Sequence, residues 1–268
     1  MNNNRNKIPY VLAGIILVII LIVLARLFIF NGNNSSEIEK NVDKLKSIEN
    51  EDVSTIENQI RESDTSTEAA TAGTAANDTD AQNQATNNPY SDSELAQHYQ
   101  GTVIMGDSIT NSIVEYGILD RDVVVSAIGL SVAKADDEIA TAIELNPTRI
   151  IMCFGANDLE TYESKTDLFI DAYTKQIKKL QSALPNSQIY INGILPIKES
   201  RIEETPALQY YKDYNTALQQ MCTDLGCIYI DSSFIINNDP SLYEPDGEHL
   251  VYKFYNKWLT YMALKVGI

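Results

Sequence analysis

The sequence predicts an α/β protein: a three-layer α/β/α sandwich around a five-stranded, flavodoxin-like parallel sheet, preceded by one transmembrane helix and a flexible tether. One observation predicts the sandwich. Short runs rich in β-branched residues alternate with longer helical stretches from residue 93 to the C-terminus. Strands that alternate with helices are typical of a parallel sheet covered on both faces. A second observation, an apolar run near the N-terminus followed by polar sequence, predicts the attachments.

The N-terminal apolar run predicts a membrane anchor over residues 8–30. No charged residue occurs between Ile8 and Ala25, and the whole run would be roughly 34 Å long as a helix, enough to cross a bilayer. A cleaved signal peptide is the alternative, but its apolar core is normally shorter. Arg5 and Lys7 precede the run, so residues 1–7 are predicted to be cytoplasmic and the remainder extracytoplasmic.

A spacer is predicted between the anchor and the folded domain. Residues 31–62 contain apolar residues at helical spacing among charges, which indicates either a short coiled-coil stalk through which chains self-associate or a solitary amphipathic helix. Residues 63–92 are mostly Thr, Ala, Asn, Asp and Ser. Such a segment cannot bury a core, so it is predicted to be a disordered linker ahead of a domain at 93–268.

The elements of that domain follow from the same alternation. Strands are predicted at the β-branched runs 102–105, 123–126, 149–154, 188–193 and 227–230. Helices are predicted between and after them, at 110–116, 132–145, 165–183, 206–225 and 251–266. In folds of this kind the functional site lies beyond the carboxyl ends of the strands.

Charge and composition exclude several kinds of function. The formal net charge is −17 with a pI near 4.4, which disfavours binding to nucleic acid or to anionic lipid through charge. The two histidines and three cysteines show no zinc-ligand spacing, so no metal or other cofactor is predicted. Cys222 and Cys227 are close enough in sequence for a disulfide, but two free buried thiols are the equal alternative.

Chemically capable residues follow the first and third predicted strands. The first strand leads into Gly106-Asp107-Ser108, where a sharp turn into a helix would expose the Ser108 hydroxyl beside the helix amides. The third ends at Gly155-Ala156-Asn157-Asp158, where the Asn157 amide can donate to a developing oxyanion. Each motif alone also suits a simple turn or helix cap.

The last loop contains Asp246 and His249. On one face of a helical turn, the carboxylate would hold the imidazole Nδ1–H and leave Nε2 free to accept a proton from serine. The only other histidine, His98, precedes the first strand and is interpreted as a surface residue. Serine is a weak nucleophile that needs a base, an orienting group and an oxyanion hole, and the sequence offers a candidate for each.

These blocks resemble those of the SGNH (GDSL-type) hydrolases. Gly106-Asp107-Ser108, Gly155-x-Asn157-Asp158 and Asp246-x-x-His249 are similar to the first, third and last blocks of that family, over about residue 103 to the C-terminus. The resemblance implies ester hydrolysis without metal through an acyl-enzyme on Ser108. It also implies an oxyanion hole formed by the Ser108 amide, the Asn157 side chain and a glycine amide after the second strand. Gly129 is the only glycine available there, where the family often has two.

For a tethered esterase outside the membrane, we expect the substrate to carry a short acyl group, such as O-acetyl on cell-envelope carbohydrate. The loop at 195–205 and four tyrosines are candidates for the mouth of the site, although the tyrosines suit half-buried positions better: Tyr162, Tyr210, Tyr211 and Tyr243. The alternatives are an O-acyltransferase or a lysophospholipase or lipase with the same site. A non-catalytic, membrane-tethered binding module is the alternative from another class.

Overall fold

A computed structural model describes residues 77–268 of the 268-residue chain. Within that range no helix is long and apolar enough to cross a membrane. The predicted anchor at 8–30, the stalk at 31–62 and the linker up to residue 76 lie outside the described residues.

Five parallel strands form the central sheet, in the spatial order β2-β1-β3-β4-β5. Their bounds are β1 Thr102–Gly106, β2 Val124–Ser126, β3 Arg149–Cys153, β4 Gln188–Asn192 and β5 Ile228–Ile230. The predicted five-stranded parallel sheet is therefore confirmed, with boundaries that differ from the prediction by one residue at most. β2 lies on one side of β1 and β3 lies on the other. The strand order therefore reverses direction between β1 and β3, and the switch point of the sheet is there.

Ten helices occur in the described range: α1 Asp78–Asn87, α2 Asp92–His98, α3 Ser108–Glu115, α4 Asp136–Leu145, α5 Ala156–Tyr162, α6 Thr166–Ala183, α7 Glu199–Glu204, α8 Tyr211–Leu225, α9 Ser233–Asn238 and α10 Tyr252–Val266. Short 3-10 turns lie at Val132–Lys134, Pro206–Tyr210 and Pro240–Leu242. The helices α3, α4, α6, α8 and α10 overlap the five predicted ones. The helices α1 and α2 and the short helices α5, α7 and α9 were not predicted from the sequence.

Alternate side chains of each strand enter two separate cores. In β1, Ile104 faces one core while Val103 and Met105 face the other. The first core lies under α1, α2, α3 and α10, and the second lies under α4, α6 and α8. Because both faces of the sheet are covered, the strands are almost continuously apolar, as expected for a buried parallel sheet.

The predicted linker is wrong over its last part, because residues 78–87 form helix α1 rather than disordered chain. The Asn77 side chain caps this helix by accepting from the Asp80 amide at 3.2 Å. Ala81 and Ala85 are fully buried in the first core. Small side chains let the helix approach closely, so the segment is held by docking even though it contains no large apolar residue.

Polar contacts join α10 to the N-terminal arm, the segment 77–98 that contains α1 and α2. The Tyr261 hydroxyl donates to Asp78 at 2.7 Å and Lys265 pairs with the same carboxylate at 3.1 Å. Further along the arm, Asp92 accepts from Tyr252 at 2.8 Å and from Asn256 at 2.7 Å. The folded unit therefore begins before residue 93, the boundary predicted from composition.

Candidate active site

Ser108 begins α3 directly after β1, at the switch point of the sheet. Asp107 caps the helix by accepting from the Ile109 amide at 3.1 Å, so the serine is held in the first turn, where helix amides are unpaired. Gly106 permits this turn because a Cβ there would lie 2.6 Å from the Cys153 carbonyl oxygen and would also clash with Thr110. The Ser108 side chain is consequently presented at the carboxyl edge of the sheet.

The Ser108 hydroxyl is hydrogen-bonded to His249. Its Oγ lies 3.0 Å from Nε2 of the imidazole, and Nδ1 of the same ring lies 2.7 Å from Oδ2 of Asp246. An ionised carboxylate can only accept, so its partner Nδ1 carries a proton and the neutral ring presents its Nε2 lone pair to the serine. The structure thus brings together three predicted site residues in one hydrogen-bonded series.

The turn that carries Asp246 and His249 differs from the helical turn that the sequence predicted. Asp246 Oδ1 accepts from the backbone amides of Glu248 at 3.0 Å and His249 at 2.9 Å. Gly247 has a φ of 74°, a left-handed conformation that glycine adopts without strain. Asp246 therefore forms an Asx-type turn ahead of α10, in which Oδ1 accepts from the backbone of the turn. The other oxygen, Oδ2, remains free to contact the imidazole.

Hydrogen bonding keeps Asp246 ionised. Partial burial alone raises its pKa, but the hydrogen bonds from the Glu248 amide, the His249 ring and the His249 amide outweigh that effect. The pKa of Asp246 accordingly lies below its ordinary value. The group that contacts Nδ1 is a carboxylate at neutral pH, which stabilises a positive charge on the ring.

Asn157 lies in the first turn of α5, beyond the end of β3. Its side chain lies close enough to the Asp107 carboxyl to help lower the pKa of that group. The amide is therefore next to the residue that caps the serine's helix. Gly155, which precedes the helix, has a φ of 138° and packs against Ile194, so a side chain at this position would be strained and crowded.

Asp107 and Asp158 are buried carboxyls. Burial raises the pKa of Asp107 to about 7, against the opposing effects of the hydrogen bond from the Ile109 amide and of the nearby Asn157 side chain. Burial likewise raises the pKa of Asp158 to about 6. Asp158 accepts from the Val132 amide at 3.2 and 3.1 Å through its two oxygens, so it anchors the loop after β2.

Gly129 lies in that loop. It is exposed, with a φ of 71° and open space where a Cβ would project. Gly129 makes none of the hydrogen bonds that connect Ser108, His249 and Asp246. The loop is nevertheless tied to the site at both ends, since Ala127 donates to the Gly106 carbonyl at 3.3 Å and Val132 donates to Asp158.

A small cavity of about 30 Å³ is lined by residues that flank the serine in sequence, and neither Ser108 nor His249 is part of its wall. Asp107 and Ile109, the two neighbours of Ser108 in sequence, both line it. Most of the remaining wall is apolar, and polar groups enter it from Thr110, Asn192 and Glu248. The apolar wall comes from the segment after β3, the loop after β4 and α10: Phe154, Ala156, Ile194, Leu195, Pro196, Ile197 and Trp258.

Several site-forming residues were not found from the sequence. Arg201 on α7 pairs with Glu248 at 3.0 Å. The sequence showed only that Arg201 lies in the loop at 195–205 and that Glu248 lies in the last loop. Asn192 accepts from Ser232 at 2.6 Å and from the Trp258 indole at 3.2 Å, and so connects β4 to α10 beneath the cavity. An asparagine near the end of a predicted strand was the only local signal for this contact.

The four tyrosines proposed near the mouth are half-buried. Tyr162, Tyr210 and Tyr211 pack against the second core, and the Tyr243 hydroxyl donates to the Pro196 carbonyl at 2.7 Å. His98 is partly exposed and stacks on Tyr90 with ring centroids 4.3 Å apart. These contacts account for the tyrosines as packing residues.

The cysteines are free thiols. Burial raises the pKa of Cys222 to about 12 and that of Cys227 to about 11, so both remain protonated at neutral pH. Over residues 77–268, no group of three His, Cys, Asp or Glu side chains is arranged to hold a metal ion.

A serine-imidazole-carboxylate series at the carboxyl edge of a parallel α/β sheet defines the hydrolase class of protein. Residues 70–255 match the GDSL-like lipase/acylhydrolase family, and the chain belongs to that family. It is thus a hydrolase that acts on esters, and the predicted family membership is confirmed. No curated protein sequence matches the chain.

Three solved structures illustrate the similarity. A GDSL-like lipase from Bacteroides thetaiotaomicron is 15% identical, with a TM-score of 0.48, over 60% of this chain and 84% of its own. A carbohydrate esterase family 3 protein from Talaromyces cellulolyticus is 16% identical, with a TM-score of 0.47, over 61% and 93%. An acetylxylan esterase from Geobacillus stearothermophilus is 13% identical, with a TM-score of 0.48, over 62% and 94%.

Proposed function

We propose that this protein is a serine esterase that removes short acyl groups, such as O-acetyl, from cell-envelope carbohydrate through a Ser108-His249-Asp246 triad. The observation that carries the proposal is the continuous contact from the Ser108 hydroxyl through the His249 ring to Asp246. A nucleophile, its base and the group that orients the base are thereby aligned before any substrate binds.

In the proposed reaction, Ser108 Oγ attacks the carbonyl carbon of the ester while His249 Nε2 takes the hydroxyl proton. The carbonyl electron pair moves to oxygen, and Asp246 stabilises the imidazolium. The tetrahedral intermediate collapses as the alcohol oxygen leaves with the proton from Nε2, and an acyl-serine remains. Water then attacks the acyl-serine with the same base, releasing the carboxylic acid and regenerating Ser108.

The oxyanion of the intermediate is assigned to three donors: the Ser108 amide, the Gly129 amide and the Asn157 side chain. Support comes from the positions of these residues after β1, β2 and β3, whose carboxyl ends share one edge of the sheet. The first turn of α3 adds the partial positive charge of a helix N-terminus. Such preorganised donors are often the largest single contribution to catalysis of acyl transfer.

The size of the cavity beside Ser108 favours a short acyl group. At about 30 Å³ it accommodates one or two water-sized groups, which suits the methyl of an acetyl ester but not an octanoyl chain. The apolar wall from Ile109 and Leu195 suits a methyl group. We therefore expect the reaction to release acetate more readily than long fatty acids.

The carbohydrate and membrane parts of the proposal rest on the sequence. The apolar run at 8–30, with Arg5 and Lys7 before it, supports a single-pass anchor with a cytoplasmic N-terminus and an extracytoplasmic hydrolase domain. Envelope glycans are the ester-bearing polymers within reach of such a domain. Protease added to intact cells should remove the domain from the cell surface, and complete protection would contradict this orientation.

The chemistry is tested by hydrolysis of p-nitrophenyl acetate, butyrate and octanoate by the full-length chain, with Ser108→Ala beside it. We expect rates in the order acetate, butyrate, octanoate and no turnover by the variant. Acetate release from an acetylated glycan under the same conditions tests the substrate class. A preference for octanoate would contradict the short-acyl assignment and favour a lipase or lysophospholipase.

Two further outcomes identify the remaining alternatives. Transfer of acetyl to an added sugar, in place of acetate release, would indicate an O-acyltransferase. A folded wild-type chain that turns over no ester and does not react with a serine-directed phosphonate would indicate a binding module.

A further inference from the structure

The chain segment after β4 rests directly against the turn that carries His249. The Lys198 amide donates to the Gly247 carbonyl at 3.0 Å, and the Tyr243 hydroxyl donates to the Pro196 carbonyl at 2.7 Å. A Cβ on Gly247 would lie 2.9 Å from Lys198 Cβ and 3.4 Å from Arg201 Cβ. The close approach of the two segments therefore requires glycine in the turn.

Arg201 adds the only charged contact between α7 and this turn within the described residues. Its Nε lies 3.0 Å from Glu248 Oε2, and its Nη1 donates to Thr205 at 2.6 Å. The Arg201 and Glu248 side chains are only 24% and 18% exposed. A charge-assisted hydrogen bond between two groups so shielded from water is stronger than an ordinary surface ion pair.

Glu248 lies between Asp246 and His249 in the chain, and its amide donates to Asp246 Oδ1 at 3.0 Å. Any displacement of the Glu248 backbone would therefore disturb the turn that sets the direction of the His249 ring. The side chain of Glu248 also lines the cavity beside Ser108. Arg201 is thus hydrogen-bonded to Glu248, which belongs both to the Asp246–His249 turn and to the wall of the cavity.

We propose that Arg201 is a positioning residue: it holds the Asp246–His249 turn through Glu248 and so keeps His249 Nε2 within hydrogen-bonding distance of Ser108 Oγ. The inference rests on the proposed function, because it assigns a role within the same triad. Arg201 also lies 3.9 Å from Glu160 of α5 and 3.9 Å from Glu204. Those two carboxylates are 56% and 72% exposed, so water screens them and Glu248 is the partner that matters.

The test is a set of variants in the full-length chain, assayed with p-nitrophenyl acetate. Arg201→Gln should lower kcat by roughly tenfold to a hundredfold with little change in KM, because a small misplacement of a base has an effect of that order on the chemical step. Glu248→Gln removes the same ion pair and should give a similar loss, which decides the proposal if Arg201→Gln does not fold. Glu204→Gln, the matched control on α7, should retain wild-type kcat.

The double variant Arg201→Gln/Glu248→Gln separates positioning from two independent effects. If Arg201 acts through Glu248, the double variant should be no slower than the slower single variant. If the two losses in kcat multiply, or if both single variants stay within twofold of wild type, the proposal is overturned.

A measurement without substrate distinguishes this proposal from the proposed function. The Nδ1 proton of His249, held 2.7 Å from Asp246, should give a strongly downfield proton NMR signal that is lost in His249→Ala. We expect Arg201→Gln to broaden or lose that signal while the remaining spectrum stays that of a folded protein. Loss of the signal in a chain that hydrolyses no ester would support the positioning role and contradict the esterase. An unchanged signal would overturn the positioning role.

Discussion

The Oγ of Ser108 lies 3.0 Å from Nε2 of His249, although the two residues are 141 positions apart in the chain. Ser108 is placed by the end of β1 and the cap of α3, and His249 is placed by the Asx-type turn before α10. A contact between groups held by separate elements depends on the packing of the whole domain. It also gives the most direct predictions for activity.

Replacement of the triad residues should abolish or sharply reduce ester hydrolysis. Ser108→Ala and His249→Ala should each lower kcat by at least about 10⁴-fold, because the nucleophile and its base act as one unit. Asp246→Asn should lower kcat less than Ser108→Ala or His249→Ala does if the carboxylate mainly orients the ring. Steady-state kinetics with p-nitrophenyl acetate measures all three.

Two substitutions serve as controls for that series. Ser182→Ala changes an exposed serine on α6, and His98→Ala changes the only other histidine. Both should retain wild-type kcat. If Ser108→Ala retained more than a few per cent of wild-type turnover, the nucleophile would lie elsewhere.

Asp107 should make folding stability depend on pH. Its folded pKa is raised from 3.8 to about 7 by burial, so between those values the folded state holds a proton that the unfolded state has lost. The contribution of Asp107 to stability consequently falls as pH rises through that window. Asp107→Asn, which still caps α3, should gain about 2 to 3 kcal/mol relative to wild type between pH 5 and pH 8.

Urea denaturation at pH 5 and pH 8 measures this change. Asp78→Asn is the matched control, because the hydrogen bond from Tyr261, followed by that from Lys265, keeps the pKa of Asp78 below 3.8 despite partial burial. Above pH 5 that group is ionised in both states, so its effect on stability should not change. Equal behaviour of the two variants would show that Asp107 is ionised in the folded protein.

Docking of α1 should be sensitive to the size of Ala81. This residue is fully buried in the core beneath α10, so Ala81→Leu should overpack the contact and destabilise the domain by about 1 to 3 kcal/mol. Ala96→Leu changes an exposed alanine on the neighbouring helix α2 and should be nearly neutral. Urea midpoints of the two full-length variants provide the measurement, and equal midpoints would mean that α1 is not docked in solution.

Leu195 should limit the length of the acyl group. It lines the cavity beside Ser108, so Leu195→Ala should raise the rate with p-nitrophenyl butyrate relative to acetate. Leu184→Ala is the matched control, since both leucines are 6% exposed but Leu184 does not line the cavity. Each variant should lose about 2 to 5 kcal/mol of stability, whereas only Leu195→Ala should change the butyrate-to-acetate ratio. An unchanged ratio would exclude this cavity as the acyl site.

Local sequence patterns were enough to predict the strands and the long helices. The β-branched run that became β3, for example, is bounded by turn residues on both sides, and its length suits a buried strand. Composition failed for α1, because a segment without large apolar residues was judged unable to bury a core. Ala81 and Ala85 are buried because α10 offers them a complementary surface, which lies almost two hundred residues further along the chain.

The sequence by itself determined the alternation of strands and helices, and with it the edge of the sheet at which Ser108 and Asn157 lie. Parallel topology alone brings the carboxyl ends of the strands to one edge, so order along the chain was sufficient for that inference. Only the tertiary structure decided that Asp246 binds the imidazole through an Asx-type turn, that Arg201 pairs with Glu248, and that Asp107 is buried. Those features depend on distances and on exclusion of water between segments remote in the chain, and a local pattern does not specify which remote surface a side chain will meet.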